Sequence, residues 1–180
     1  YFKQIDSIRM FFMQNNMRNK AMSQHNLKGK TVLITGGAKN LGGLISRKFA
    51  EQGANLLIHY NSAATQSDAE ETLQAVQALG VKAILVQADL ANIQNIEDLF
   101  VQAKAEFGGV DIAINTVGRV LKKPYLDTTE QEFDNMNDIN NKIAYFFIQS
   151  AGRHLNPNGK ICTIGTSLLA AYTGLYSTYG

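Results

Sequence analysis

The sequence predicts an α/β fold, a doubly wound parallel sheet with helices on both faces. Three observations predict it. Apolar runs rich in β-branched residues alternate with helical segments of ten or more residues, and parallel strands need crossovers of that length. The first run ends in a glycine-rich turn that opens a helix, residues 31–43 reading TVLITGGAKNLGG. Each predicted strand is followed at once by small or polar residues, at the ends where open α/β sheets bind their ligands.

Val32, Leu33 and Ile34 form the first strand, closed by Thr35-Gly36-Gly37. Gly42 and Gly43 then open a helix carrying Leu44, Ile45, Phe49 and Ala50. Strand, glycine turn and helix in that order place bare backbone N–H groups and a helix N-terminus against a pyrophosphate. Glycine supplies both clearance and positive φ. Residues 54–60 (ANLLIHY) form the second strand. Residues 66–79 form a helix with Ala69, Thr72, Leu73, Val76 and Leu79 near one face, and Gly80 is its C-cap. Residues 82–88 (KAILVQA) are the third strand. A helical stripe of Ile93, Ile96, Leu99, Phe100, Ala103 and Phe107 stops at Gly108-Gly109. Residues 110–115 (VDIAIN) are the fourth strand. Thr129 is a candidate N-cap for one long helix over residues 130–154, ahead of Pro157-Asn158-Gly159. Residues 160–164 (KICTI) make the fifth strand.

A length of 180 residues suits one domain with a sizeable core. Hydrophobic residues make up 45% and charged residues 18%. No apolar run approaches the ~20 residues of a membrane span. The single cysteine, Cys162, forms no internal disulfide, and its apolar strand predicts a buried thiol rather than a nucleophile. A reducing, cytoplasmic setting is expected. The net charge of +2 is unevenly placed. Residues 1–21 hold Lys3, Arg9, Arg18 and Lys20 against Asp6 alone, a net of +3, which leaves −1 for the rest. No basic patch points to nucleic acid. Residues 1–21 therefore read as a leader foreign to the domain, with a basic targeting presequence or an oligomer-contact arm as alternatives. The domain itself begins near Met22 and runs to residue 180.

These residues resemble the short-chain dehydrogenase/reductase family from about Leu27 onward. Thr35, Gly36, Asn40, Leu41 and Gly42 match its T-G-x-x-x-G-x-G turn, with Asn40 in place of the middle glycine. Asn is the side chain best able to take left-handed backbone after glycine. Asp89-Leu90 match the family's acidic position after the third strand, which meets the adenine amino group. Asn115-Thr116-Val117-Gly118 match its N-N-A-G segment along the ribose, with Thr and Val substituted. The resemblance implies a Rossmann-like domain, cut short after the fifth strand, that binds NADP(H). An NAD enzyme of this fold wants a carboxylate at the end of the second strand. Here that position reads Tyr60-Asn61-Ser62, with no acid, and Lys39 lies in the turn. Lys39, Asn61 and Ser62 therefore suit a 2′-phosphate.

The family's chemistry uses an Asn, a Ser, a Tyr and a Lys. Tyr protonates a carbonyl oxygen, Lys acidifies the Tyr, Ser orients the carbonyl and Asn holds a relay water. Tyr179 matches the tyrosine, and Asn140 the asparagine. The serine lies about 13 residues before the tyrosine, which falls on Thr166, with Ser167 one residue out of step. The lysine is expected four residues beyond Tyr179, past the final Gly180, so the protein is expected to continue and these 180 residues alone to be incompetent in catalysis. The resemblance implies an NADP(H)-dependent carbonyl reductase or alcohol dehydrogenase of the 3-oxoacyl-(acyl carrier protein) reductase type. Its ketone is a 3-oxoacyl thioester or a small cyclic carbonyl. It also implies a homodimer or homotetramer paired through the helix from Glu130, with no metal, nucleic-acid or membrane partner. The alternative is a non-catalytic nucleotide-binding protein acting as a sensor or partner-binding module, motivated by Asn40, Thr116, Thr166 and the lysine missing after Tyr179. Residues 119–125 (RVLKKPY) are either a rim for anionic groups or solvated loop charges.

Overall fold

The computed structural model describes residues 26–169 and 174–179. The leader, residues 1–21, lies outside the described residues. Five parallel strands form one sheet: β1 (Thr31–Thr35), β2 (Asn55–Tyr60), β3 (Ala83–Gln87), β4 (Val110–Asn115) and β5 (Leu155–Thr163). Their spatial order is β3-β2-β1-β4-β5. The order reverses at β1, so the loops after β1 and β4 diverge and leave a crevice at the strands' C-terminal ends.

The helices follow as α1 (Asn40–Glu51), α2 (Gln66–Gln77), α3 (Ile93–Phe107), α4 (Glu130–Asn137) and α5 (Ile143–His154). Strand side chains alternate between faces, and the core divides accordingly. Val32, Ile34, Leu56 and Ile58 pack with Ala50 and Val76 under α1 and α2. Leu33 and Leu57 pack with Leu99, Phe100 and Phe147 under α3 and α5. A polar tie joins that second helix pair. Ser150 donates to Glu97 Oε2 at 2.8 Å, and His154 pairs with the other carboxylate oxygen. At the far end of the sheet, Asp111 accepts the Thr31 N–H at 2.9 Å and pairs with Lys30 at 3.0 Å.

Four differences from the sequence expectations have local causes. The helix expected over residues 130–154 is broken by a π-helical turn, Asp138–Lys142. Strand β5 starts at Leu155 rather than residue 160. Its register jumps from Val110↔Leu155 to Ile112↔Lys160, so the Pro157-Asn158-Gly159 turn bulges within the strand. Helix α2 stops at Gln77, and Leu79, expected on its buried face, is half exposed beyond the helix end. Cys162 is exposed, because β5 pairs only with β4 among the described residues. Among the described residues, no helix is long and apolar enough to cross a membrane.

Candidate active site

Gly36 and Gly37 end β1 at the centre of the sheet, and α1 begins three residues later. The two ends of this turn touch. A Cβ on Gly42 would collide with the Gly36 carbonyl and stand 2.9 Å from Thr116 Oγ1. Gly36 itself has φ of 68°, and Asn40, in place of a glycine, has φ of 50°. Asn40 thus takes the left-handed backbone its residue type tolerates.

Side chains from neighbouring elements hold the turn from behind. Ser46 Oγ donates to the Gly37 carbonyl at 2.8 Å, and Thr72 Oγ1 to the Ala38 carbonyl at 2.6 Å. His59 Nδ1 accepts the Gly36 N–H at 3.1 Å, and its backbone carbonyl accepts the Gly37 N–H at 3.0 Å. None of the three was singled out as a site residue from sequence. The available signal was a polar side chain on an otherwise apolar strand or helix face, which must be bonded if buried.

The β4 end is built from hydrogen bonds between strands. Thr35 Oγ1 donates to Asn115 Oδ1 at 2.7 Å, and that oxygen also accepts the Val117 N–H at 3.1 Å. Thr116 Oγ1 donates to the Thr35 carbonyl at 2.7 Å. Asn115 and Thr116 therefore shape the strand ends, and each also lines a cavity of the crevice beside Val117 and Gly118.

Three adjoining cavities share Val117 and Gly118. The first, about 500 Å³, is lined by Gly36, His59, Asn61, Asp89, Leu90 and Arg119 among others. Asp89 does not cap α3, a role that Asn92 fills, but receives the Ala91 N–H at 3.0 Å. The second, about 300 Å³, runs along the turn past Lys39, Asn40, Leu41 and Gly42 to Tyr60, Asn61 and Thr65. Lys39 Nζ stands 3.2 Å from Asp68 on α2, both about half exposed. Ser62 opens the next 3-10 turn and lines none of the three cavities.

The third cavity, about 210 Å³, brings together Asn140, Thr166 and Tyr179, with Asn141, Thr163 and Gly165 beside them. Ser167 lies outside it, at the start of a 3-10 turn. The π turn carries Asn140 to the crevice. Its Oδ1 accepts the Arg119 N–H and its Nδ2 donates to the Arg119 carbonyl, both at 2.9 Å. Thr166 Oγ1 also accepts the Leu168 N–H at 3.2 Å. Lys123 does not face an incoming anion freely, because it pairs with Glu132 at 2.7 Å. Among the described residues, no cluster of His, Cys, Asp and Glu could hold a metal.

A parallel sheet reversing at β1, a glycine turn wedged against α1 and a Tyr–Thr–Asn cavity at the strand ends define a doubly wound, Rossmann-like α/β domain. The chain belongs to the short-chain dehydrogenase/reductase family: the family model described as enoyl-(acyl carrier protein) reductase matches residues 36–180. The hydroxynaphthalene reductase arp2 of Aspergillus fumigatus is 34% identical over 149 residues, covering 83% of this chain and 53% of that protein. The chain thus spans about half the length of the curated relatives it matches. A putative dehydrogenase from Burkholderia cenocepacia, solved with bound NADP, is 53% identical with a TM-score of 0.83, covering 91% of this chain and 62% of that one. A short-chain dehydrogenase from Oenococcus oeni is 54% identical with a TM-score of 0.72, covering 86% and 69%.

Proposed function

We propose that the protein is an NADP(H)-dependent carbonyl reductase that delivers hydride to a ketone. The observation that carries this reading is the pair of adjoining cavities that share Val117 and Gly118, one along the glycine turn and the other holding Asn140, Thr166 and Tyr179. The turn fits a dinucleotide pyrophosphate. Helix α1 starts without a side-chain cap and without an acid in its first turn, so its leading N–H groups are left for an anion. Gly36 and Gly42 let the turn close tightly, since a Cβ on either would meet Thr116 Oγ1 within 3 Å. Asp89 and Leu90 would take the adenine, Val117 and Gly118 the ribose, and Lys39 with Asn61 the 2′-phosphate. The solved relatives bound to NADP support the choice of cofactor.

When bound, the reduced cofactor supplies hydride to the carbonyl carbon. The phenol of Tyr179 would give its proton to the carbonyl oxygen as charge builds there. Thr166 Oγ1 would donate to the same oxygen and orient it, once its hydrogen turns into the cavity. Asn140, fixed by two hydrogen bonds to the Arg119 backbone, would position a relay water. The substrate is a ketone such as a 3-oxoacyl thioester or a cyclic carbonyl, the second favoured by the reductase names of the fungal relatives. The expected quaternary state is a dimer or tetramer.

A spectrophotometric screen of both ketone classes with NADPH and NADH, using the full-length protein, tests the reading. Oxidation of NADPH with at least one ketone is expected. Tyr179→Phe should cut kcat by about 10²–10⁴-fold while leaving NADPH binding intact. Binding of NADPH with no turnover across the panel would assign the non-catalytic role instead, and no binding at all would sink both.

A further inference from the structure

His59 sits at the end of β2 with the same side-chain direction as Leu57, under α3 and against the first cavity. Its exposure is 2%. A buried histidine in a strand needs partners for both ring nitrogens, and here both partners are backbone atoms of neighbouring strand ends. Nδ1 is 3.1 Å from the Gly36 amide nitrogen, and Nε2 is 2.9 Å from the Ala88 carbonyl oxygen. An amide N–H can only donate and a carbonyl can only accept. The ring must therefore be neutral, with its proton on Nε2.

We propose that neutral His59 is the positioning residue of the cofactor turn, holding the Gly36 peptide by accepting its N–H while its own Nε2–H anchors to the end of β3. The role rests on the reading of that turn as the dinucleotide site. Gly36 has no side chain and a φ of 68°, so nothing intrinsic fixes the orientation of its peptide. The imidazole fixes it from outside. Protonating Nδ1 removes the acceptor and sets one N–H against another. The peptide must then rotate, and the wall of the adenine cavity moves with it.

The surroundings keep the ring neutral. Burial pushes the imidazole below its ordinary range, against the opposing pulls of the Ala88 carbonyl and the Asp89 carboxylate. Strands β1 and β3 carry no titratable side chain, and α3 turns Ile96, Leu99 and Phe100 to this face. Asp89, Arg119 and Asp138 are the titratable groups lining the same cavity, and of these Asp89 is the one that favours a protonated ring. Affinity for the cofactor is therefore full while the ring is neutral and falls as pH drops through the lowered imidazole pKa.

The test is calorimetric titration with NADP⁺ between pH 5 and pH 8, on the full-length protein and on His59→Asn and His59→Leu. Asn places an oxygen near the position of Nδ1 and does not titrate. His59→Leu should bind about tenfold more weakly than wild type at pH 8, the scale of one lost hydrogen bond, with the gap closing as wild type is acidified. His59→Asn, which keeps an acceptor for Gly36 but loses the bond to Ala88, should bind more tightly than His59→Leu at pH 8 and lose less affinity than wild type on acidification. Any loss it retains belongs to the 2′-phosphate, which titrates in both proteins. Amide exchange at Gly36 in the ligand-free proteins supplies a second readout, with protection lower in His59→Leu and kept in His59→Asn. Identical pH profiles for wild type and His59→Asn, or unchanged affinity in His59→Leu, overturn the proposal. Wild-type protein that binds no dinucleotide at any pH overturns the reading of the turn itself, and this role with it.

Discussion

Lys39 and Asp68 set the charge at the edge of the glycine turn. Their pair, at 3.2 Å, is half exposed on both sides, so it contributes little to stability. A 2′-phosphate offers Lys39 a stronger partner than one carboxylate does. Lys39→Ala should raise the NADPH dissociation constant by about tenfold or more, from the loss of a charge-assisted hydrogen bond, and leave NADH nearly unchanged. Parallel fluorescence titrations check this, and equal losses for both cofactors would remove Lys39 from the 2′ site. Single residues were unevenly legible in the sequence. Asn40 could be assigned left-handed backbone because its neighbours are a glycine-rich turn and its side chain tolerates that region. His59 could not be assigned, since a lone histidine in an apolar strand carries no sign of which backbone atoms it meets. Cys162 was misplaced because an apolar run reads the same whether a strand is central or at an edge.

Among the elements, α4 is tied most firmly at its start. Thr129 Oγ1 accepts the Glu132 N–H, and Glu132 returns the bond to the Thr129 N–H at 2.9 Å, a reciprocal cap. Lys123 joins the same carboxylate and fastens the loop after β4 to this helix. Lys123 first, then the Thr129 N–H, hold the Glu132 carboxyl down from 4.5 to about 2. A carboxyl with a depressed folded-state pKa contributes stability above its unfolded pKa and loses it as pH falls through the folded one. Urea midpoints of wild type should therefore fall between pH 4.5 and pH 2, and Glu132→Gln should flatten that part of the curve. An unchanged slope in Glu132→Gln would show that other carboxyls carry the acid sensitivity. Thr129 was readable as a cap because capping chemistry is local. The β5 bulge and the π turn were not, because each depends on which partner strand or loop the backbone meets.

Across the whole molecule, the sheet divides the interior into two layers by strand parity, one under α1 and α2 and one under α3 and α5. Phe147 is fully buried in the second layer, with its ring centroid 5.7 Å from that of Phe100. Phe147→Ala should cost about 3–5 kcal/mol of unfolding free energy, read from denaturant unfolding of the full-length protein. A loss under about 1 kcal/mol would mean that the layer closes over the gap. The element order and both helical layers were legible from periodicity alone, since buried parallel strands and amphipathic crossovers leave strong local patterns. The convergence of Asn140, Thr166 and Tyr179 on one cavity was legible only through family resemblance, because no local pattern relates positions so far apart in the chain.

The π turn at Asp138–Lys142 also constrains how this sequence can change in length. A regular helix advances about 100° per residue, and a π turn accommodates one residue more than that phase allows. Deleting one residue there would restore regular winding and keep the α5 side chains close to their present phase, because the π turn already absorbs the extra residue. Phe147 would stay on the core face, but the turn that brings Asn140 to its bonds with Arg119 would be gone. Substitutions within the turn are open to selection one at a time, but its residue count is held by the crevice rather than by the core, because the address of Asn140 depends on the extra residue and the packing of α5 does not.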